Sequence, residues 1–154
     1  MDETLNAVPA KLWLLRSGWL GLLFYLMAGI GLEVLHGWKV PWYLDVGQSS
    51  RRLMWTLAHT HGSLFSVVAV VAAVSLPWVR MSVTKSAGCV AWGIMGGQVL
   101  MPLGFFLGGV WLKAGEPGVG VFLVPIGAAM MLMGVAGATW AVWARDPSAI
   151  GQKR

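Results

Sequence analysis

Four long apolar runs dominate the chain, at about residues 18–36, 53–79, 87–112 and 119–144. An α-helix rises about 1.5 Å per residue, so roughly 20 residues cross the ~30 Å hydrocarbon core of a bilayer, and each run is about that long. The runs lack the alternation of apolar and polar residues that is typical of a lipid-facing strand. The pattern therefore predicts an all-α integral membrane four-helix bundle, with residues 1–154 forming a single transmembrane domain.

Composition supports a membrane protein. The chain is 57% hydrophobic and only 11% charged, and its mean hydropathy is +0.71, whereas soluble domains contain roughly 25% charged residues. The first run follows the acidic residues Asp2 and Glu3 and is not followed by an Ala-x-Ala site. Both features favour a retained helix over a cleaved signal peptide.

The distribution of lysine and arginine predicts the orientation. The N-terminal flank, the second loop and the tail contain Lys11, Arg16, Arg80, Lys85, Arg145, Lys153 and Arg154, whereas the first and third loops contain Lys39, Arg51, Arg52 and Lys113. Basic residues are enriched on the cytoplasmic side, so both termini are expected there, in a membrane of the bacterial inner-membrane type. The net charge of +5 is dispersed over helix ends, which argues against nucleic acid as a partner and leaves the lipid bilayer.

Glycine and proline indicate how the helices pack. Gly93-x-x-x-Gly97 and Gly104-x-x-x-Gly108 let backbones approach closely, which predicts tight packing of the third helix within the monomer or, alternatively, a homo-oligomer face. Pro77 is expected to end the second helix. Pro102 and Pro125 are expected inside the third and fourth helices, where each would free a backbone carbonyl.

The candidate chemistry lies on either side of the first loop. Glu33, His36, His59 and His61 include all three histidines of the chain, and ionisable groups within a bilayer are costly enough to indicate function. Because an α-helix turns about 100° per residue, Glu33 and His36 share one face of the first helix. His59 belongs to a polar stripe of the second helix, which consists of Arg52, Thr56, His59, Ser63 and Ser66.

His61 lies about 200° around the second helix from His59. We therefore expect His59 to face the first helix and His61 to contact another helix. Whether His61 belongs to the same site as His59 stays open at this point.

Two kinds of cofactor suit these residues. Glu33, His36 and His59 could bind iron, copper or zinc, since imidazole and carboxylate groups are ligands of these metals. A b-type haem needs only axial histidines, either His36 or His61 together with His59, and Arg51 and Arg52 could pair with its propionates. A complete di-iron site is not expected, because the chain has a single Glu-x-x-His unit where such a site requires two.

The segment Ala58-His59-Thr60-His61-Gly62 resembles the histidine-bearing helices of haem-copper oxidase and nitric oxide reductase catalytic subunits. In those subunits such segments supply haem or copper ligands, and the complete subunits have more helices and more histidines than this chain. The resemblance implies haem ligation by His59 and, less directly, His61. It also implies a small relative or an accessory subunit with at most one redox centre.

The sequence leaves several functions open. One is a haem- or metal-binding membrane protein that takes part in electron transfer, with its site in the outer leaflet between the first two helices. Another is an accessory or structural subunit of a larger membrane complex, such as a respiratory complex. A third is a small proton-coupled transporter in which Glu33 and His59 titrate. The sequence contains no pattern for an activated nucleophile or a phosphate-binding loop, so enzymatic activity stays undecided.

Overall fold

The structure, a computed structural model, describes residues 8–75 and 85–144. Its helices are α1 (Val8–Gly37), α2 (Pro41–Leu44), α3 (Ser49–Ser75), α4 (Lys85–Val110) and α5 (Leu123–Trp143). Two 3₁₀ turns precede α3 and α5, at Val46–Gln48 and Val119–Phe122. The all-helical prediction is confirmed for this part of the chain, and four helices are long and apolar enough to cross a membrane.

Two helices begin earlier than the apolar runs that predicted them. Helix α1 begins at Val8, well before the apolar run at position 18, and α3 begins at Ser49 instead of position 53. A helix satisfies its own backbone hydrogen bonds in water as well as in lipid, so it can continue beyond the hydrocarbon. The apolar run therefore measures the part of a helix suited to hydrocarbon and underestimates the whole helix.

The prolines occupy two different kinds of position. Pro102 lies inside α4, as predicted. Pro125 is instead the third residue of α5, directly after a 3₁₀ turn, so it lies in the first turn of this α-helix and not in its interior. Pro77 falls outside the described residues. So do the first residues, most of the second loop and the tail, which contributed basic residues to the predicted orientation.

Helix α4 lies at the centre of the fold. It packs extensively against α3 and α5 and less extensively against α1, while α1 packs mainly on α3. Half of the apolar segment of α4 is buried, compared with 11% of that of α1. For α5 the buried share is 22%. The outer helices α1 and α5 therefore present most of their apolar surface to the surroundings, as expected for helices in contact with lipid.

The α4–α5 contact depends on glycine. A Cβ atom on Gly97 would lie 2.9 Å from the carbonyl oxygen of Gly127, and one on Gly93 would lie 2.9 Å from the Cα atom of Gly134. These backbones can approach so closely only because no side chain separates them. The glycine pairs on α4 thus pack against α5 of the same chain, which is the intramolecular arrangement that the sequence favoured.

A buried polar cluster connects α1, α3 and α4. The Gln98 Nε2 atom donates to the Ser17 carbonyl oxygen at 2.8 Å and to Ser66 Oγ at 3.0 Å. Ser66 Oγ in turn donates to the Gly62 carbonyl oxygen at 2.7 Å. Gln98 and Ser66 are almost fully buried. Their hydrogen bonds offset part of the cost of burying polar groups, while the Gln98 Oε1 atom has no hydrogen-bond partner among the described residues. This cluster fixes the positions of α1, α3 and α4 relative to one another along their axes, and these helices surround the candidate site.

Candidate cofactor site between α1 and α3

His59 is held by the backbone of α1. Its Nδ1 atom lies 2.8 Å from the Tyr25 carbonyl oxygen. A carbonyl oxygen can only accept a hydrogen bond, so Nδ1 carries the hydrogen, and in the neutral ring the lone pair is on Nε2. The imidazole lies directly over Gly29, where a Cβ atom would overlap it. His59 therefore faces α1, as its angular position predicted.

Tyr25 completes this contact and extends it to α4. Its ring lies against Gly62, and its hydroxyl group donates to the Gln98 carbonyl oxygen at 2.9 Å. That carbonyl has lost its usual partner, because the residue four positions later is Pro102, which has no N–H group. Sequence reasoning missed this role of Tyr25. A tyrosine on a neighbouring helix and a carbonyl freed by proline were the available signals.

His61 lies on a different side of α3. Its Nδ1 atom is 2.8 Å from the Leu57 carbonyl oxygen of the same helix. Its ring packs beside Phe105 of α4 and Phe65 of α3, with centroid distances of 5.1 and 5.8 Å. His61 thus contacts another helix, as expected, and the structure does not bring it together with His59.

A polar cavity of about 500 Å³ lies on one side of the α1–α3 contact. It is lined by residues of α1, α2 and α3, which are Leu26, Gly29, Ile30, Leu32, Glu33, His36, Tyr43, Arg52, Thr56 and His59. The predicted grouping of Glu33, His36 and His59 around one space is therefore present. Within residues 8–75 and 85–144, however, no three His, Cys, Asp or Glu side chains form a group that could hold a metal ion.

Tyr43 of α2 covers part of the polar cavity. Burial raises the pKa of its phenol group; Arg52 opposes this rise and the Glu33 carboxylate adds to it. Tyr43 therefore stays protonated at neutral pH and presents a neutral hydroxyl group beside Glu33 and Arg52.

An apolar cavity of about 700 Å³ is bounded by α1, α3 and α4. His59 lines it together with four aromatic residues, Phe24, Tyr25, Trp55 and Phe106. The rest of its wall is aliphatic and consists of Ala28, Gly31, Leu32, Leu35, Ala58, Val99, Pro102 and Leu103. Its volume is within the range of roughly 300 to 1,000 Å³ that is typical of small-molecule sites. His59 and Leu32 line both cavities and so lie at the boundary between them.

The two arginines are not equivalent. Arg51 donates from Nε to the Gly109 carbonyl oxygen at 3.2 Å and from Nη1 to the Trp42 carbonyl oxygen at 3.1 Å. Gly109 is in the last turn of α4, where carbonyl groups lack helical partners and a cation is favourable. Arg51 therefore connects the first loop to the end of α4, whereas Arg52 lines the polar cavity and is the arginine at the site.

The atom of this site that could ligate a metal is Nε2 of His59. A histidine that ligates a metal usually donates its other ring N–H to a carboxylate, a backbone carbonyl or water, which fixes the tautomer and the ring orientation. The bond from His59 to Tyr25 is of this kind.

No family model, no curated protein and no solved structure matches this chain.

Proposed function

We propose that this protein is an integral membrane protein that binds a haem through His59. The observation that carries the proposal is the 2.8 Å contact between His59 Nδ1 and the Tyr25 carbonyl oxygen. It orients the ring and, in the neutral form, leaves the Nε2 lone pair to coordinate iron.

The residues around His59 favour haem over a bare transition metal. A bare ion needs several protein ligands, and the described residues contain no group of three that could supply them. A haem brings four equatorial nitrogens of its own and needs as little as one histidine from the protein. Arg52 is the arginine that lines the neighbouring cavity and could pair with a haem carboxylate.

The proposal includes an orientation. With both termini on the cytoplasmic side, the loop between α1 and α3 lies at the outer face, and His59 is about 15 Å along α3 from Ser49. The site would then lie in the outer leaflet of the bilayer, in a membrane of the bacterial inner-membrane type.

The test is to purify the protein in mild detergent from cells supplied with haem precursors and iron. Ultraviolet–visible spectra of the oxidised and reduced protein and the metal content would be measured on the same sample. We expect a haem Soret band that is lost in His59→Ala. The matched control is His61→Ala on the same helix, which should retain the band. A colourless wild-type protein, or a His59→Ala variant with full haem content, contradicts the proposal.

A second function is favoured by one specific observation. Glu33, His36, Arg52 and His59 line the same cavity, and grouped carboxylates and histidines recur in proton relays. A proton-coupled transporter would show proton flux in vesicles, and Glu33→Gln should abolish most of it. Haem-free protein that carries such flux supports the transporter. Colourless protein that co-purifies stably with other chains and carries no flux would instead indicate an accessory subunit.

A further inference from the structure

We infer that the polar cavity between α1 and α3 binds the headgroup of a membrane phospholipid that carries both a phosphate and a primary ammonium group. The inference goes beyond the proposed haem and does not rest on it, because the charges that it uses belong to Glu33 and Arg52 and not to His59. It concerns binding alone and involves no chemical step.

The polar cavity contains two opposite charges that do not neutralise each other. Glu33 of α1 and Arg52 of α3 both line it, and both act on the Tyr43 phenol, whose pKa the carboxylate raises and the guanidinium lowers. In residues 8–75 and 85–144 no ion pair within 4 Å joins Glu33 to Arg52. A cavity with separated opposite charges is complementary to a zwitterion, whose anionic group pairs with the arginine and whose cationic group pairs with the carboxylate.

The depth of these charges matches that of lipid headgroups. Glu33 is four residues before the end of α1 at Gly37, and Arg52 is three residues after the start of α3 at Ser49. At about 1.5 Å per residue, both lie within about 6 Å of these helix ends. The headgroup layer on each side of a bilayer is roughly 5–7 Å thick. This placement holds whichever side of the membrane the loop between α1 and α3 faces.

The deeper part of the same cavity is apolar and exposed to lipid. Leu26 and Ile30 line it and are 53% and 65% exposed. They lie about 16 and about 10 Å along α1 from Gly37, further into the bilayer than Glu33. The cavity is therefore charged near the membrane surface and apolar below it, which is the order of headgroup and acyl chain in a phospholipid. A water-soluble zwitterion would not use the apolar part, so this polarity favours a lipid.

Individual side chains determine which headgroup fits. The planar guanidinium of Arg52 can donate two parallel hydrogen bonds to phosphate oxygens. The Glu33 carboxylate accepts hydrogen bonds from a primary ammonium group, whereas a trimethylammonium group has no N–H to donate and a purely anionic headgroup would be repelled. Thr56 and Tyr43 line the same cavity and add neutral hydroxyl groups. An ethanolamine headgroup therefore fits better than a choline or a glycerol headgroup.

Arg52 is also the residue that could pair with a haem carboxylate under the proposed function. A lipid phosphate and a haem carboxylate would compete for its guanidinium, whereas ligation of iron by His59 needs no free Arg52. Lipid binding and haem content are therefore measured on the same sample.

The experiment titrates the full-length protein in mild detergent with three phospholipids that share the same acyl chains and have ethanolamine, choline or glycerol headgroups. Bound lipid is counted by native mass spectrometry, and the Soret band gives the haem content. We expect one ethanolamine lipid per chain, with an affinity about fivefold or more above that of the other two lipids. Equal affinities for the three lipids overturn the inference. Glycerophosphoethanolamine, which has no acyl chains, overturns the assignment to a lipid if it binds as tightly as the complete lipid.

Two variants separate the two charges. Glu33→Gln should retain binding of the phosphate and remove the preference for ethanolamine, whereas Arg52→Gln should weaken binding of all three lipids by about fivefold or more. The matched controls are Glu116→Gln and Lys113→Gln, which make the same changes of charge in the turn before α5 and line neither cavity. Both controls should bind lipid as the wild type does. A Glu33→Gln variant that keeps the ethanolamine preference overturns the inference.

Haem content separates this inference from the proposed function. A preference for ethanolamine lipid in colourless protein supports the lipid site and contradicts the haem. A Soret band in protein that shows no headgroup preference supports the haem and overturns the lipid site.

Discussion

At the scale of single residues, the candidate site depends on small side chains that face large ones across the α1–α3 contact. Gly29 of α1 makes room for the His59 ring, and Gly62 of α3 makes room for the Tyr25 ring. The two contacts are reciprocal, because each helix supplies one glycine and one ring. Neither ring could approach the opposite backbone if its glycine carried a side chain.

Gly29→Ala should displace His59. The added Cβ atom would overlap the imidazole, so the ring must move and the hydrogen bond to the Tyr25 carbonyl oxygen is lost. We expect haem content to fall by more than half and stability to decrease by about 1–3 kcal/mol, as is usual for overpacking. Gly37→Ala serves as the control because its Cβ atom would enter open space. Normal haem content in Gly29→Ala would show that the proposed haem binding does not depend on this position of the His59 ring.

Tyr25→Phe tests the bond to the carbonyl freed by Pro102. The variant keeps the ring beside Gly62 but leaves the buried Gln98 carbonyl oxygen without a partner. The expected loss is about 1–3 kcal/mol in the free energy of unfolding, measured by denaturation in detergent. Thr139→Val is the comparison, since Thr139 is exposed and bonds only within its own helix, and it should change stability by about 0.5 kcal/mol or less. Equal losses of unfolding free energy in the two variants would show that the hydrogen bond from Tyr25 stabilises the fold no more than the exposed bond of Thr139 does.

At the scale of helices, α3 has two chemically different sides. His59 and Ser66 point toward α1 and the buried polar cluster, while His61 packs beside Phe105 of α4. Helical periodicity predicted this division from residue spacing alone. Periodicity could not predict that Tyr25 would connect α1 to α4 through a hydrogen bond to the Gln98 carbonyl oxygen, which Pro102 leaves free. That bond joins residues 73 positions apart in the chain.

Gly97→Ala should separate α4 from α5. A Cβ atom at Gly97 would lie only 2.9 Å from the Gly127 carbonyl oxygen, so the two backbones must move apart. We expect a loss of about 2 kcal/mol or more in unfolding experiments in detergent, within the range for overpacked cores. Gly88→Ala on the same helix meets no atom within 4 Å. It should be neutral or stabilising by up to about 1 kcal/mol, since alanine favours a helix more than glycine does.

At the scale of the whole molecule, helix number and apolar length fit an integral membrane protein. The orientation is a separate matter, because a helical hairpin packs in the same way whichever side of the membrane its termini face. Orientation follows from the asymmetry of basic residues between the two sides.

Reporter domains fused to the N-terminus and to the C-terminus should both be active on the cytoplasmic side. A reporter inserted in the turn that joins Lys113 and Glu116, whose Ala114 and Gly115 have positive φ angles, should be active on the other side. That turn precedes α5 and tolerates insertion better than a helix would. Termini on opposite sides would imply an odd number of spans, and two external termini would reverse the proposed location of the site.

The fold was largely predictable because its main signals are local. Apolar runs of membrane-spanning length, glycine pairs on one helix and the angular separation of His59 from His61 are all properties of neighbouring residues along one helix. The helix ends were less predictable, since α1 continues beyond its apolar run. The site was predictable in part: Glu33, His36 and His59 do line one cavity, but a ready three-ligand metal group does not follow from that proximity.

The sequence by itself determined that the described part of the chain, residues 8–75 and 85–144, forms four long apolar helices. It also determined which residues share a face of each helix, because hydrophobic length and the 3.6-residue period act within single helices. Only the tertiary structure decided which faces meet and how closely. It placed the His59 ring over Gly29, bonded Nδ1 to a backbone carbonyl of another helix and formed a partly open apolar cavity beside it. These features depend on the distance between backbones, which is set by packing of residues far apart in the chain.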